Sequence, residues 1–375
     1  MAEYTLWLTT DTGARIGGGA LNSNLGFYAV QAINKAAPCR IVTSPGFDTS
    51  LIKVDRMVQV WRTPTGGHQY LYGVYMILAY GWEQTADGDL FHVQGYTPPC
   101  LLWRRWVAAY AGTSAADKND LADDMMKEVV TQSMSDALSP SPTAGSRAWA
   151  NLTVAGDLSD GPAVDKGFAW KQLLSPEGAG VLPSINKASR QLATEVFFDV
   201  KPNVIGANSI NFIFRTYTGQ PGSDLTDGAG QVVFSKARGT LTDAKLGYDY
   251  TKAQNYIYAA GQGDLSDRKV VQVYEAARYN RSIWGRCEGV ADARNQTDDQ
   301  VEDAGNARLD ASRPQITLTG SPVDTPGQAL GSEWNCGDLV VAKAWGQQFD
   351  ALITSTTVTV GANKAETIGA KLEYR

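Results

Sequence analysis

Residues 55–107 read DRMVQVWRTPTGGHQYLYGVYMILAYGWEQTADGDLFHVQGYTPPCLLWRRWV. Met57, Val58, Val60 and Trp61 open an apolar run rich in β-formers. Pro64 to Gly67 breaks it, and Tyr70 to Ala79 forms a second run. Gly81 to Asp89 breaks it again, with Asp87-Gly88 as the turn signal, and Leu90 to Gly95 is a third. Runs of this kind joined by Gly/Asp/Pro turns predict a meander of antiparallel strands. After Pro98-Pro99, the apolar stretch Leu101–Val107 with Arg104 and Arg105 inside it predicts a short turn of helix.

Outward from the meander, Tyr4–Thr9 alternates and predicts a strand, as do Gly26–Ile33 and Pro38–Val42. Gly17-Gly18-Gly19 reads as a loop, because no Lys-Ser/Thr follows it to make a phosphate cradle. Residues 1–108 are thus expected to form an N-terminal β-barrel domain. Residues 109–200 form an α+β insert. Its first helix is expected over Asp117–Leu138, with Asp120 as N-cap, Asp123 and Asp124 on the favourable end of the dipole, and Ser139–Gly145 as its stop. A second helix starts near Pro183 and carries Ile185, Ala188 and Leu192. Glu195–Val200 is a strand with Val196, Phe198 and Val200 on one side.

Residues 201–312 are β-rich, with strands at Ser209–Tyr217, Gln231–Ser235, Asn255–Gly263, Lys269–Glu275 and Ile283–Val290. A helix over 297–312 opens on the capping box Thr297/Gln300. Residues 313–375 supply C-terminal barrel strands at Gln315–Thr319, Asp338–Ala344 and Leu352–Val360, with an edge strand from Ala365 on. The fold class is therefore mainly β with an α+β insert. The order of elements predicts a duplicated architecture of two β domains.

Of the 375 residues, 43% are hydrophobic, enough for real cores. The formal charge of −6, from 33 basic and 39 acidic residues, argues against a dedicated nucleic-acid-binding surface. The four cysteines, Cys39, Cys100, Cys287 and Cys336, form no CxxC and read as reduced, buried thiols. Two histidines, His68 and His92, exclude a histidine cluster. The N-terminus has no signal-peptide pattern, and no run reaches the roughly 18 apolar residues of a membrane span.

Catalytic motifs are missing: there is no Walker A, GxGxxG, HExxH, GxSxG or zinc spacing. Glu195 and Asp199 share a strand face on the order of 13 Å apart. An acid/base pair wants about 5–10 Å, so a solvated strand face is the simpler account. Asp292 and Arg294 read as a structural ion pair, and Phe168 and Trp170 as core. Neither catalytic residue, metal ligand nor cofactor is expected. Trp103-Arg104-Arg105-Trp106 is the candidate interface, since arginine between aromatics is common where proteins meet. The competing account puts both tryptophans on one helix face in the core.

The order of several short motifs resembles a known family. Val58–Trp61 (VQVW) leads through Tyr70–Gly73 (YLYG) and Val93–Gly95 (VQG) to Leu101–Arg105 (LLWRR). Gly285–Gly289 (GRCEG), Asp292–Asn295 (DARN) and Cys336–Val340 (CGDLV) follow. Together they resemble siphophage tail proteins of the ReqiPepy-like group, which are similar to the baseplate hub of contractile-tailed phages. The resemblance implies a homotrimer at the tail tip of the virion, each subunit giving two tail-tube-like β-barrels. It implies contacts with a distal tail protein, the tape measure protein and a distal fibre or spike, with DNA passing through the lumen unbound. A different class, a glycan-binding or peptidoglycan-degrading tail protein, would need an exposed aromatic platform or a paired-carboxylate cleft.

Overall fold

A computed structural model describes residues 2–17, 21, 24–44, 46–86, 88–107, 116–134, 146–168, 170–192, 194–204, 209–263, 265–294 and 301–374. The meander is its centre. Met57–Thr63 pairs antiparallel with Tyr70–Thr85, which pairs antiparallel with Gly88–Tyr96. Glu3–Thr9 adds beside Met57–Thr63, and Pro38–Thr43 then Gly26–Ala32 add beyond Gly88–Tyr96. The middle strand does not stop at Gly81 but runs on to Thr85. Nothing approaches a side chain at Gly81, and Tyr80 and Trp82 on either side of it both lie on the Phe91 ring. Hairpin pairing and aromatic packing override the glycine.

The apolar run Val74–Ile77 is continuous because both faces of the sheet are covered. Tyr75 and Ile77 enter one core, while Val74 and Met76 enter another. The first core is filled from both ends of the chain: Leu6, Leu8, Val60 and Phe91 meet Val340, Ile353, Val358 and Leu372. The hydrogen bonding is equally shared. Phe27–Ala32 pairs with Ser355–Val360 of the long Gln347–Val360 strand, whose first half pairs with Leu339–Ala344. Glu366–Tyr374, Gln315–Pro322 and Leu241–Asp249 follow in order. The result is one 14-stranded sheet. Among the described residues its path runs open from Leu241–Asp249 to Arg15–Ile16, so neither expected barrel closes through strand pairing. The C-terminal strand is not an edge, since it is paired on both sides; Leu241–Asp249 takes that place.

The insert supplies the second layer. Helix α1 (Ala122–Ser133) and helix α2 (Val181–Gln191) pack with the three-stranded sheet of Leu152–Val154, Val196–Val204 and Ile210–Thr218. Met125, Met126, Val129, Val130, Ile185 and Phe198 form this core with Val74 and Met76 of the meander. Helix α1 starts later than the sequence predicts, because Ala116–Leu121 pairs as a strand with Ala163–Phe168. Leu121 takes the N-cap place instead of Asp120 and makes no side-chain cap, though Asp123 and Asp124 do occupy the first turn. The Ser139–Gly145 stop, Gly18-Gly19 and the Thr297/Gln300 capping box lie outside the described residues.

A third, smaller unit sits after Leu241–Asp249. Tyr256–Ala260 pairs antiparallel with Val270–Tyr274 and parallel with Glu288–Asp292. Helix α3 (Ala276–Tyr279) is a single turn, and helix α4 (Val301–Ala311) packs on this sheet. No helix among the described residues is long and apolar enough to cross a membrane, which says nothing about a β-barrel.

Candidate functional site

The sequence-predicted interface, Trp103 to Trp106, forms a corner rather than one helix face. A 3-10 turn spans Pro98–Arg104, and Trp106–Val107 then pairs as a short strand with Lys171–Gln172. Trp103 is half-buried, its ring edge-on to Tyr96 at 5.0 Å. Its carbonyl accepts from Gln172 Nε2. Trp106 is 50% exposed. Arg104 reaches the exposed Asp55 carboxylate. Arg105 lies 3.6 Å over the Trp149 ring and donates to the Arg147 carbonyl. Burial, aided by Arg147 and Arg104 nearby, holds its guanidinium below the ordinary arginine value. The corner therefore presents Trp106 and two arginines already tied to the body of the protein.

Other sequence candidates disperse. Glu195 faces Asn186 and Arg190, while Asp199 pairs with Lys201 at 2.9 Å. Asp199 has a cation of its own, whereas Glu195 shares Arg190 with Glu373, which lies closer to that arginine at 2.9 Å. Asp292 is ion-paired to Arg294 at 2.6 Å, as the sequence predicts, and also to Arg268 at 3.3 Å. Phe168 is buried, but Trp170 is 61% exposed at a left-handed φ of 49°. All four cysteines are free. Burial pushes the Cys100 and Cys336 thiols up to about 12 and Cys39 higher still, so these three are poor nucleophiles at neutral pH. Asp123, Asp124 and Asp157 stand close enough to share a cation, but Lys127 Nζ already sits 2.9 Å from Asp123.

Two features carried no sequence signal. Arg62 is fully buried and bonded to Glu366 at 2.7 Å, to Asp324, and to the Leu330 carbonyl at 2.9 Å. Tyr4 donates to the same Glu366. Burial alone would lower the Arg62 pKa, but the Glu366 and Asp324 carboxylates hold it above the ordinary value. This cluster ties the meander to the C-terminal strands. The second feature is an aromatic face on the small unit, where Tyr256 and Tyr274 stack at 5.3 Å and Arg286 lies 3.9 Å over Tyr256. Alternation in YIY and VVQVY predicts strands, but not which side a helix will cover.

A cavity of about 400 Å³ lies between the meander and Val196–Val204, lined by Tyr70, Tyr72, Asp199, Lys201 and Cys336 among others. Its only close charge pair, Asp199–Lys201, is internally neutral. Among the described residues, the side chains lining this cavity are otherwise uncharged.

A family model described as Siphovirus ReqiPepy6 Gp37-like protein matches residues 77–372. The chain belongs to this siphovirus family. Among curated proteins, none matches the chain. Three solved structures share the fold of this Gp37-like protein over 99% of its length. The tail protein from Neisseria meningitidis MC58 aligns at TM-score 0.56 and 10% identity over 96% of that chain. The 43 kDa tail protein of prophage MuSo2 from Shewanella oneidensis aligns at 0.55 and 11% over 98%. Prophage tail protein gp18 from Listeria monocytogenes EGD-e aligns at 0.53 and 9% over 94%. At such identities the likeness is one of fold.

Proposed function

We propose that this Gp37-like protein is the tail-tip hub of a siphovirus, a homotrimeric ring that joins the six-fold distal tail to a three-fold tip and lets DNA pass at ejection. The single observation that carries the reading is the end-to-end match in fold with phage tail proteins, at 94–98% of their own lengths. Each subunit brings two β arms, before and after the Phe27–Ala32/Ser355–Val360 junction. Three subunits then present six arms, which reconciles six-fold and three-fold symmetry. The distal tail protein, the tape measure protein and a distal fibre or spike are the partners this position requires. The net charge of −6 favours a lumen that repels phosphate and holds no DNA.

The role is structural, not enzymatic. Its carboxylates at Glu195 and Asp199 are each held beside a different cation, Arg190 and Lys201, instead of facing a common substrate as the acid and base of a glycan hydrolase do. Mass photometry of the purified protein tests the assembly. The expected result is a species of about three times 40.3 kDa, ring-shaped when imaged down its axis. A protein that stays monomeric at micromolar concentration, or that releases fragments from purified peptidoglycan, overturns the reading.

A further inference from the structure

The small unit has two unlike surfaces. Strand register puts Ile257, Ala259, Val271, Val273 and Ala291 on one face of its sheet, where α4 covers them. The same register puts Tyr256, Tyr258, Gln272, Tyr274, Glu288 and Val290 on the other. Tyr256 stacks on Tyr274 and lies under Arg286, with the Tyr279 ring beside both tyrosines; Tyr274 is still 53% exposed and Val290 63%. Next to this face the loop after α3 carries Ile283 and Trp284, which are 90% and 83% exposed. Such exposure of adjacent large apolar residues marks a contact surface.

Charge says what the surface meets. Ala276–Cys287 holds Arg278, Arg281 and Arg286 and no carboxylate, in a chain of net charge −6, so the remainder carries −9. Arg278 and Arg286 have carboxylates of their own in Glu275 and Glu288, whereas Arg281 lies over the Tyr250 ring. On the helix-covered side of the same unit α4 turns outward Glu302, Asp303, Asn306 and Asp310, all exposed, and of these Asp310 is paired to Arg313 at 3.1 Å, which leaves Glu302 and Asp303 in the first turn as the acidic end. Positions 302, 303, 306 and 310 fall within one side of a helix. Tyr, Trp and Arg are the residues that dominate protein–protein contacts. An isoleucine at 90% exposure adds nothing to sugar stacking but fills a protein pocket, which favours a protein over a glycan.

We propose that the tyrosine face and the Ile283–Trp284 loop of one copy dock on the acidic outer side of α4 in the next copy. The two surfaces differ, so the contact is head-to-tail, and with the rotation of a three-fold axis, repeating it closes a ring. The ring itself rests on the hub reading; the choice of surfaces does not.

Sedimentation velocity on the full-length protein tests it, with wild type, Arg281→Glu, Asp303→Arg, the Arg281→Glu/Asp303→Arg double variant, and Trp284→Ala. All substituted side chains are exposed or on a surface loop, and unchanged thermal melts confirm folding. Each single charge reversal and Trp284→Ala should weaken association by about ten-fold or more. The double reversal should recover most of that loss, and the salt dependence of wild-type assembly should flatten in Arg281→Glu. If wild type assembles and every variant assembles equally, the contact is overturned while the hub reading stands. If wild type never assembles, both fall. If Trp284→Ala leaves assembly intact but abolishes retention on purified cell-wall glycan, the face is a sugar site and the docking proposal is overturned.

Discussion

Arg62 shows how one residue can decide whether two ends of a chain stay together. It lies on a meander strand, and its carboxylate partners Asp324 and Glu366 lie more than 260 positions later in the sequence. A buried guanidinium is tolerable only while its donors are matched, and here two carboxylates and a carbonyl match them. Arg62→Ala leaves Glu366 and Asp324 facing each other without a cation. The expected loss is about 3–5 kcal/mol, read as a lower denaturant midpoint at unchanged slope. A loss below about 1 kcal/mol would mean the cluster is a solvated pair instead. The thiols give a second test at this scale. Thiolate is the reacting form, and burial keeps Cys39, Cys100 and Cys336 protonated well past neutral pH. With an aromatic disulfide reagent at pH 8, these three should react in the denatured protein but stay protected in the native one. Fast native labelling of all four would contradict the packing.

Among the elements, α4 offers a case where two effects oppose. Gly305 sits in its middle, where alanine would gain up to about 1 kcal/mol of helix propensity. A methyl there would meet Val273 Cγ2 at 2.8 Å and Ala259 Cβ at 3.0 Å. Overpacking of this sort costs about 1–3 kcal/mol. Gly305→Ala should therefore lower stability, by about 1 kcal/mol net, and a raised melting temperature would show that α4 can lift off its sheet. The elements also mark what was legible in the sequence. Strands with one or two covered faces announced themselves: Tyr4–Thr9, Val58–Trp61 and Tyr70–Ala79 alternate or run apolar because the cores demand it. Helix α2 did so through Ile185 and Ala188. Leu241–Asp249 did not, since most of its side chains face water, and Ala116–Leu121 did not, since its charged residues mimic a helix start. Ile283-Trp284 misled in the other direction: an apolar pair that reads as strand interior stands in solvent. The Trp103–Trp106 candidate was visible as an aromatic–arginine run, but its splitting between a 3-10 turn and a strand was not. The Arg62 cluster was invisible because its members come from distant parts of the chain, and one sequence carries no trace of their meeting.

For the molecule as a whole, the order of segments reads as separate β domains at residues 1–108 and 313–375, yet the two ends share a sheet and a core. Gly26–Ala32 would be an uncovered edge without Ser355–Val360. Leu6, Leu8 and Phe91 would lose the apolar partners that Val340, Ile353 and Leu372 supply in the same core. Each fully buried side chain of this kind contributes about 1.5–3 kcal/mol, against a total stability of about 5–15 kcal/mol for a domain. Removing half the residues from such a core exceeds that margin. A fragment of residues 1–108 should therefore fail to fold alone, giving poorly dispersed amide resonances and no cooperative melt. Adding a second fragment that restores residues 209–375 should bring back dispersion, because the missing edge and core arrive with it. A 1–108 fragment that melts cooperatively by itself would mean that its own strands close on one another, and that the shared sheet joins two complete units instead of building one.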